Sequence, residues 1–149
     1  MSVQVRQATV HDLDTLVPLF DGYRQFYAQR SDPEGTRAFL RARFAHHQSV
    51  ILLALDVRGV GLGFTQLYPL FSSVRMARTY LLNDLFVSPL ARRQGVAAAL
   101  LREAAAHARA LGAASLSLST ALDNAPAQAL YESQGWERDR QFCEYTLRL

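Results

Sequence analysis

The sequence contains no lysine. All sixteen basic residues among the 149 are arginine, and this removes two kinds of chemistry. No side chain can form a Schiff base, and no phosphate loop of the Gly-Lys-Ser/Thr kind can be built. Any phosphate bound here must be held by backbone N–H groups and arginine forks, which match phosphate oxygens well. Cysteine is almost as scarce. The single Cys143 cannot form an internal disulfide, so a reducing cytoplasm is the expected compartment. No apolar run approaches the roughly 20 residues needed to cross a bilayer. The start, Met1-Ser-Val-Gln-Val-Arg6, lacks the layout of a secretory signal, and no membrane partner is expected. His11, His46, His47 and His107 have no metal-ligand spacing, so no metal is expected. The arginines are scattered, so the net charge of +3 gives little reason to expect nucleic acid.

What is present suits one domain over residues 1–149. Hydrophobic residues make up 50% of the chain and charged residues 19%, which allows a core and argues against disorder. Val3–Arg6 alternates as a short strand. Thr9-Val-His-Asp12 is a capping-box pattern, and Leu13, Leu16, Val17, Phe20, Tyr23, Arg24 and Tyr27 follow at helical spacing. Ser31-Asp-Pro-Glu34 starts a second helix, with Phe39, Leu40 and Phe44 as its apolar side. The period then changes. Val50–Val57 is an apolar run of strand length, Arg58-Gly59 a turn, and Val60–Leu67 the returning strand of a hairpin. Gly59-Val-Gly-Leu-Gly63 resembles part of a dinucleotide fingerprint, but no helix follows, so it reads as a turn with a glycine-rich strand.

Pro69–Arg75 reads as a loop, and Tyr80–Val87 as a buried strand interrupted by the polar pair Asn83-Asp84. A helix then runs to about Leu111, stopped by Gly112. Ser115–Thr120 alternates as a strand. Asp123-Asn124 caps a helix that has Pro126 in its first turn and ends near Gly135. Trp136–Arg140 and Phe142–Leu149 make a last strand pair, with Cys143 as a core thiol. The expected order is β-α-α-β-β-β-α-β-α-β-β, an α+β domain around a mixed sheet.

Between the strand ending at Val87 and the next helix stands Ser88-Pro-Leu-Ala-Arg-Arg-Gln-Gly-Val-Ala97. The first N–H groups of a helix lack internal partners, and the helix dipole leaves that end partly positive. Gly95 lets a ligand approach without a Cβ in the way, and Ala97 is small. The amides of Arg92, Arg93, Gln94, Gly95, Val96 and Ala97 could therefore cradle a pyrophosphate. An ordinary helix start with solvated arginines would use the same residues.

Leu85–Leu101 resembles the acetyl-CoA-binding motif of the GNAT N-acetyltransferase superfamily, [Arg/Gln]-x-x-Gly-x-[Gly/Ala], filled here by Arg92, Gly95 and Ala97. A second block, Asn124–Trp136, is similar to that family's N-x-x-A-x-x-L-Y-x-x-x-G-[F/W] pattern. The resemblance implies a single domain with a mixed, mostly antiparallel central sheet flanked by helices. It implies transfer of an acetyl group from acetyl-CoA, a co-substrate, directly to a primary amine within a ternary complex. It places the pyrophosphate on Arg92–Ala97 and the pantetheine arm along Leu85, Phe86 and Val87, with an N–H near Val87 facing the thioester oxygen. Asn124 would bond the pantetheine, cap its own helix, or both. A homodimer is also implied.

Tyr80-Leu-Leu-Asn-Asp-Leu-Phe-Val87 resembles the Tyr-Leu-Glu-Asp-Leu-Tyr-Val of the diamine and polyamine (spermidine/spermine) acetyltransferases, where two adjacent acids serve the amine. A small-molecule amine of that kind is the expected acceptor. A lysine in a protein tail, or a non-catalytic CoA-sensing domain, are the competing readings. Here Asn83 replaces the first acid.

A primary amine of pKa about 10.4 is protonated at neutral pH and must lose a proton before it attacks. Asp84 is the acid in the right strand. Adjacent strand residues face opposite sides, so Asp84 need not inherit the lost acid's role, and Asp84 by way of a bulge is one open reading. A water chain toward backbone carbonyls and a structural Asp84, satisfied by backbone donors or Arg78, stay open. Tyr131, seven residues after Asn124, matches the family tyrosine. A phenol of pKa about 10 can protonate a departing thiolate whose parent pKa is about 8.5, while staying protonated at rest. Packing on an amphipathic helix is the alternative. Tyr23, Phe26 and Tyr27 with Asp21, together with Asn83, Gln66, Tyr68 and Phe71, are candidate walls of an acceptor pocket.

Overall fold

Thr9 and Asp12 set the first turn of the chain. In the computed structural model, which describes residues 2–149, the Asp12 carboxylate accepts the Thr9 amide at 2.8 Å and the Thr9 hydroxyl accepts the His11 amide at 3.3 Å. Arg6, on β1 (Gln4–Gln7), clamps the same carboxylate with two bonds of 2.8 and 2.9 Å. A 3-10 turn leads into α1 (Leu13–Phe26), which buries Leu13, Leu16, Val17, Leu19 and Phe20. Asp32 caps α2 (Pro33–Ala45) through the Gly35 amide at 2.9 Å, with Pro33 in the first turn.

β2 (Val50–Leu55), β3 (Gly61–Ser72) and β4 (Ala77–Val87) form an antiparallel meander, with β1 against β2. α3 (Val96–Ala110) carries the chain across to β5 (Leu116–Ser117), which runs parallel to β4. The result is the expected mixed, mostly antiparallel five-stranded sheet. Ile51, Leu53, Leu55 and Phe64 pack with Leu16, Leu19 and Phe20 of α1 and Leu40 of α2. Their strand neighbours Leu52 and Ala54 point the other way, toward the face that α3 covers with Val96, Leu100, Leu101 and Ala104.

Gly63 shows why this hairpin is rich in glycine: a Cβ there would stand 2.5 Å from the Phe86 carbonyl oxygen. Close approach of β3 to β4 is its purpose, and Gly59, at φ +81°, makes the turn.

Three strand assignments need correction. The Pro69–Arg75 stretch is not a loop: β3 continues to Ser72 and β4 begins at Ala77, leaving only a short turn. β2 starts at Val50, opposite Leu67, so beyond that pair β3 has an open edge where a proline's missing N–H is tolerated. β5 is two residues long rather than spanning Ser115–Thr120.

The last correction falls in the second of the chain's two compact units, Thr120–Leu149. Asn124 caps α4 (Ala125–Ser133) there, as expected. Residues 134–149 form no strand among the described residues. Alternation alone does not make a strand without a ladder partner. Phe142 and Tyr145 stand 78% and 92% exposed, and Cys143 is exposed rather than a core thiol.

Candidate active site

A bulge decides where Asp84 points. Gln66 pairs with Asp84 but Leu67 pairs with Leu82, so Asn83 is an extra residue in β4. A bulge brings consecutive side chains to one side of a strand, and the Asn83 Nδ2 group donates to Asp84 Oδ1 at 2.9 Å. The face of β4 changes across it. Before the bulge, Tyr80 packs against His107 of α3; after it, Phe86 packs against Tyr23 of α1 and Phe64.

Asp84 is 4% exposed and lies in a hydrogen-bonded chain. Gln66 Nε2 donates to Asp84 Oδ2 at 2.5 Å, and Ser49 Oγ donates to Gln66 Oε1 at 2.7 Å. The Thr65 hydroxyl donates to the Asp84 carbonyl at 2.7 Å. Both carboxylate oxygens thus receive neutral amide donors. Arg78, one sequence candidate for a partner, lies over the rings of Phe71 and Tyr80 instead.

The Tyr23 hydroxyl stands 3.5 Å from the Asn83 carbonyl oxygen, too long for a strong bond, and beside the Asp84 carboxylate. Burial first, and the Asp84 charge and hydrogen bond next, hold its proton far above the ordinary phenol range. Burial first and the Asp84 charge next raise Tyr68 too, with Arg43 pulling the other way. Both phenols are therefore donors at neutral pH, not bases.

Tyr27 is mostly exposed and edges onto Tyr23, with ring centroids 5.2 Å apart. Asp21 does not line a pocket. Its buried carboxylate accepts Ser31 Oγ and the Asp32 amide at 2.7 Å each, and Gln25 Nε2 at 3.0 Å. The Ser31 bond above all keeps its pKa below the usual carboxylate range. Asp21 ties the α1–α2 connection together.

The Arg92–Ala97 segment turns the chain from β4 into α3. β4 ends at Val87, a 3-10 turn follows over Pro89–Ala91, and two residues then adopt left-handed conformations, Arg93 at φ 62° and Gly95 at φ 79°. Gly95 is the N-cap of α3 and offers no side chain to its first amides. A Cβ placed on it would meet nothing within 4 Å, so the space before the turn is open. Ala91 and Val96, 3% and 1% exposed, anchor the turn on either side.

Arg92 folds back. Its Nε donates to the Val87 carbonyl at 3.3 Å and its guanidinium lies 5.8 Å from the Phe26 ring. The Gln94 side chain bonds the Leu90 carbonyl at 3.4 Å. The first amides of α3 receive no side-chain cap from either residue. β5 leaves β4 after the Leu81–Ser117 pair, so the Leu82–Val87 edge has no strand beside it among the described residues. Leu85, Phe86 and Val87 belong to that edge.

The two remaining sequence candidates lie in the second unit. Asn124 Oδ1 accepts the Ala127 amide at 3.3 Å, which is helix capping. Tyr131 is half-buried on α4, its ring 6.2 Å from that of Trp136. Among the described residues no cluster of three or more His, Cys, Asp or Glu could hold a metal, and no helix is long and apolar enough to cross a membrane. Sequence reading placed Gln66 only as a pocket wall and gave no signal for Ser49.

A left-handed glycine thus stands at an uncapped helix start, beside a strand whose edge is unpaired among the described residues. A profile of the acetyltransferase (GNAT) family matches residues 16–136. An uncharacterized N-acetyltransferase of Bacillus subtilis, YhfO, is 48% identical over 147 residues, spanning 99% of this chain and 98% of its own length. A probable acetyltransferase of Haemophilus influenzae is 38% identical over 93 residues, spanning 62% of this chain and 64% of its own. A crystal structure of a probable acetyltransferase, 46% identical, covers 98% of this chain and 97% of its own with a TM-score of 0.94. The chain belongs to the acetyltransferase (GNAT) family and is an acetyl-CoA-dependent N-acetyltransferase.

Proposed function

We propose that the chain transfers the acetyl group of acetyl-CoA to a primary amine of a small molecule, of the diamine or polyamine kind, by direct attack in a ternary complex. The observation that carries this reading is the buried Asp84 carboxylate, turned by the Asn83 bulge to the α1 face beside Tyr23. Acetyl-CoA, when bound, supplies the activated acyl group. The residues present suit it: amides from Arg92 to Ala97 around an uncapped, open Gly95 for the pyrophosphate, and the Leu85–Val87 edge for the pantetheine.

The chain's own task is proton management. Asp84 accepts the proton that a neutral-pH ammonium must lose. Tyr23 keeps its own proton and gives the acceptor side a hydrogen-bond donor. Tyr131 is assigned as the acid that protonates the leaving sulfur, on the strength of its place in the family pattern. Asn124 is assigned to the pantetheine as well as to its own helix. Tyr27 and Asn83 are assigned to the acceptor side. The unpaired, exposed Cys143 suits a reducing cytoplasm, and the family resemblance supports a homodimer.

The test is free-thiol release from acetyl-CoA against a panel of amines, polyamines, aminoglycosides and lysine peptides. Turnover with a small diamine or polyamine is expected; turnover with the lysine peptides alone would overturn the acceptor class. A Tyr131→Phe chain is expected to lose turnover by about a hundredfold, the lower range for a proton-transfer group, and to keep its calorimetric affinity for acetyl-CoA. Unchanged turnover would remove Tyr131 from the mechanism.

A further inference from the structure

Gln66 occupies a position where packing alone does not call for an amide. It is 0% exposed, on the strand position directly opposite Asp84, with Phe64 and Leu67 close by in the same strand. A buried primary amide is costly unless both its donor and its acceptor find partners. Here both do: the carbonyl takes the Ser49 hydroxyl and the N–H meets Asp84. The direction of this bond has a chemical consequence. A hydroxyl can donate or accept, so Ser49 suits the amide either way round. An ionised carboxylate only accepts. Gln66 turned with its N–H toward Asp84 therefore gives the carboxylate a fixed donor.

We infer that Gln66 is a positioning residue for acetyl transfer. It holds the Asp84 carboxylate fixed within the bulge, with Ser49 steadying the far end of the amide. The inference rests on the reading of Asp84 as proton acceptor. Asn83 holds the other carboxylate oxygen but is itself exposed, so the buried anchor is Gln66.

The titratable groups facing Asp84 are Tyr23 from α1 and Tyr68 from β3, and both retain their protons. Arg43, from α2, acts on Tyr68. α3 presents His107 to Tyr80, on the opposite face from Asp84.

The experiment is steady-state kinetics on the full chain with acetyl-CoA and the best amine of the panel, with Asp84→Asn measured alongside. Gln66→Met keeps the shape and removes the donor. It is expected to lower kcat about tenfold or more, the scale of one hydrogen bond to a charged group, with KM for acetyl-CoA unchanged. Gln66→Glu sets a second carboxyl against the first, and two carboxyls in contact share one proton. A proton-free Asp84 is then available only at higher pH, so the acidic limb of kcat/KM moves up by about one pH unit or more. Ser49→Ala is expected to give a smaller loss in the same direction, and Ser49→Thr, which keeps the hydroxyl, to restore it. The Ser49 pair carries the test if Gln66→Met does not fold.

Should the Gln66 variants change only Tm and leave kcat and the pH profile at wild-type values, while Asp84→Asn is inactive, the role of Gln66 falls alone. Should Asp84→Asn turn over like wild type, Gln66 and the reading of Asp84 fall together.

Discussion

Asp84→Asn is expected to lower turnover by about a hundredfold to ten-thousandfold, the range for losing a positioned acid–base group. Acetyl-CoA affinity should stay near wild type, because the Arg92–Ala97 turn shares no bond with Asp84. The substitution also has a structural cost that must be separated from the chemical one. Asp84 receives amide donors on both oxygens, whereas asparagine offers one oxygen and one NH₂. The Gln66 amide can turn its carbonyl to the asparagine NH₂, because Ser49 suits it either way round, so the cost stays at or below the ~1–3 kcal/mol of one unmet donor. Tm is therefore expected to fall little while kcat falls. Asp84→Glu resolves the two: it keeps the charge, so partial activity in a folded chain points to the carboxylate, not to packing. A folded Asp84→Asn chain that turns over within tenfold of wild type would exclude the proton-acceptor role.

The part of this site that was legible in the sequence was the part written in local pattern. Gly95 after two arginines, between a strand and an alanine-leucine run, needs nothing from elsewhere in the chain to be read as a turn into a helix. The capping box at Thr9 and the cap at Asn124 are equally local, and both stand in the structure as expected. The direction of Asp84 was not local. It depends on one extra residue in β4, and that residue shows only as a slip in register against β3. Nothing in Asn83-Asp84 itself states whether the strand is regular there, so sequence reading could name a bulge as an option and go no further.

Partnerships across the sheet were less legible still. Ser49, Gln66 and Asp84 lie on three successive stretches of chain and meet only because β2, β3 and β4 pair in one register. Asp21 misled for the opposite reason. An acid among aromatics on α1 resembles a pocket residue, yet its oxygens meet the Asp32 amide and the Ser31 hydroxyl eleven and ten residues on. The final strand pair failed because alternation of Cys143, Tyr145 and Leu147 specifies a face without specifying a neighbour to bond with.

Gly95→Val should abolish acetyl-CoA binding while leaving the chain folded, and a second glycine makes that claim sharp. Gly95 and Gly59 have nearly the same φ, +79° and +81°, and a Cβ on either would meet nothing within 4 Å. Valine at either position therefore suffers a similar penalty for the left-handed conformation, about 1–2 kcal/mol or somewhat more for a β-branched side chain. Loss of stability should be alike in Gly95→Val and Gly59→Val, measured by denaturant unfolding. Their ligand binding should not be alike. Gly59 sits in the β2–β3 turn, whereas Gly95 caps α3, whose first amides have no side-chain cap and are the donors proposed for the pyrophosphate. A side chain there keeps the phosphate oxygens from reaching those amides, each such charged bond being worth about 1.5–3 kcal/mol. Two lost bonds already exceed a hundredfold in Kd. Calorimetric titration with acetyl-CoA should therefore find wild-type affinity in Gly59→Val and no measurable binding in Gly95→Val. Equal affinities in the two variants would mean that the turn before α3 does not hold the coenzyme, and equal losses would mean that the effect is one of folding alone.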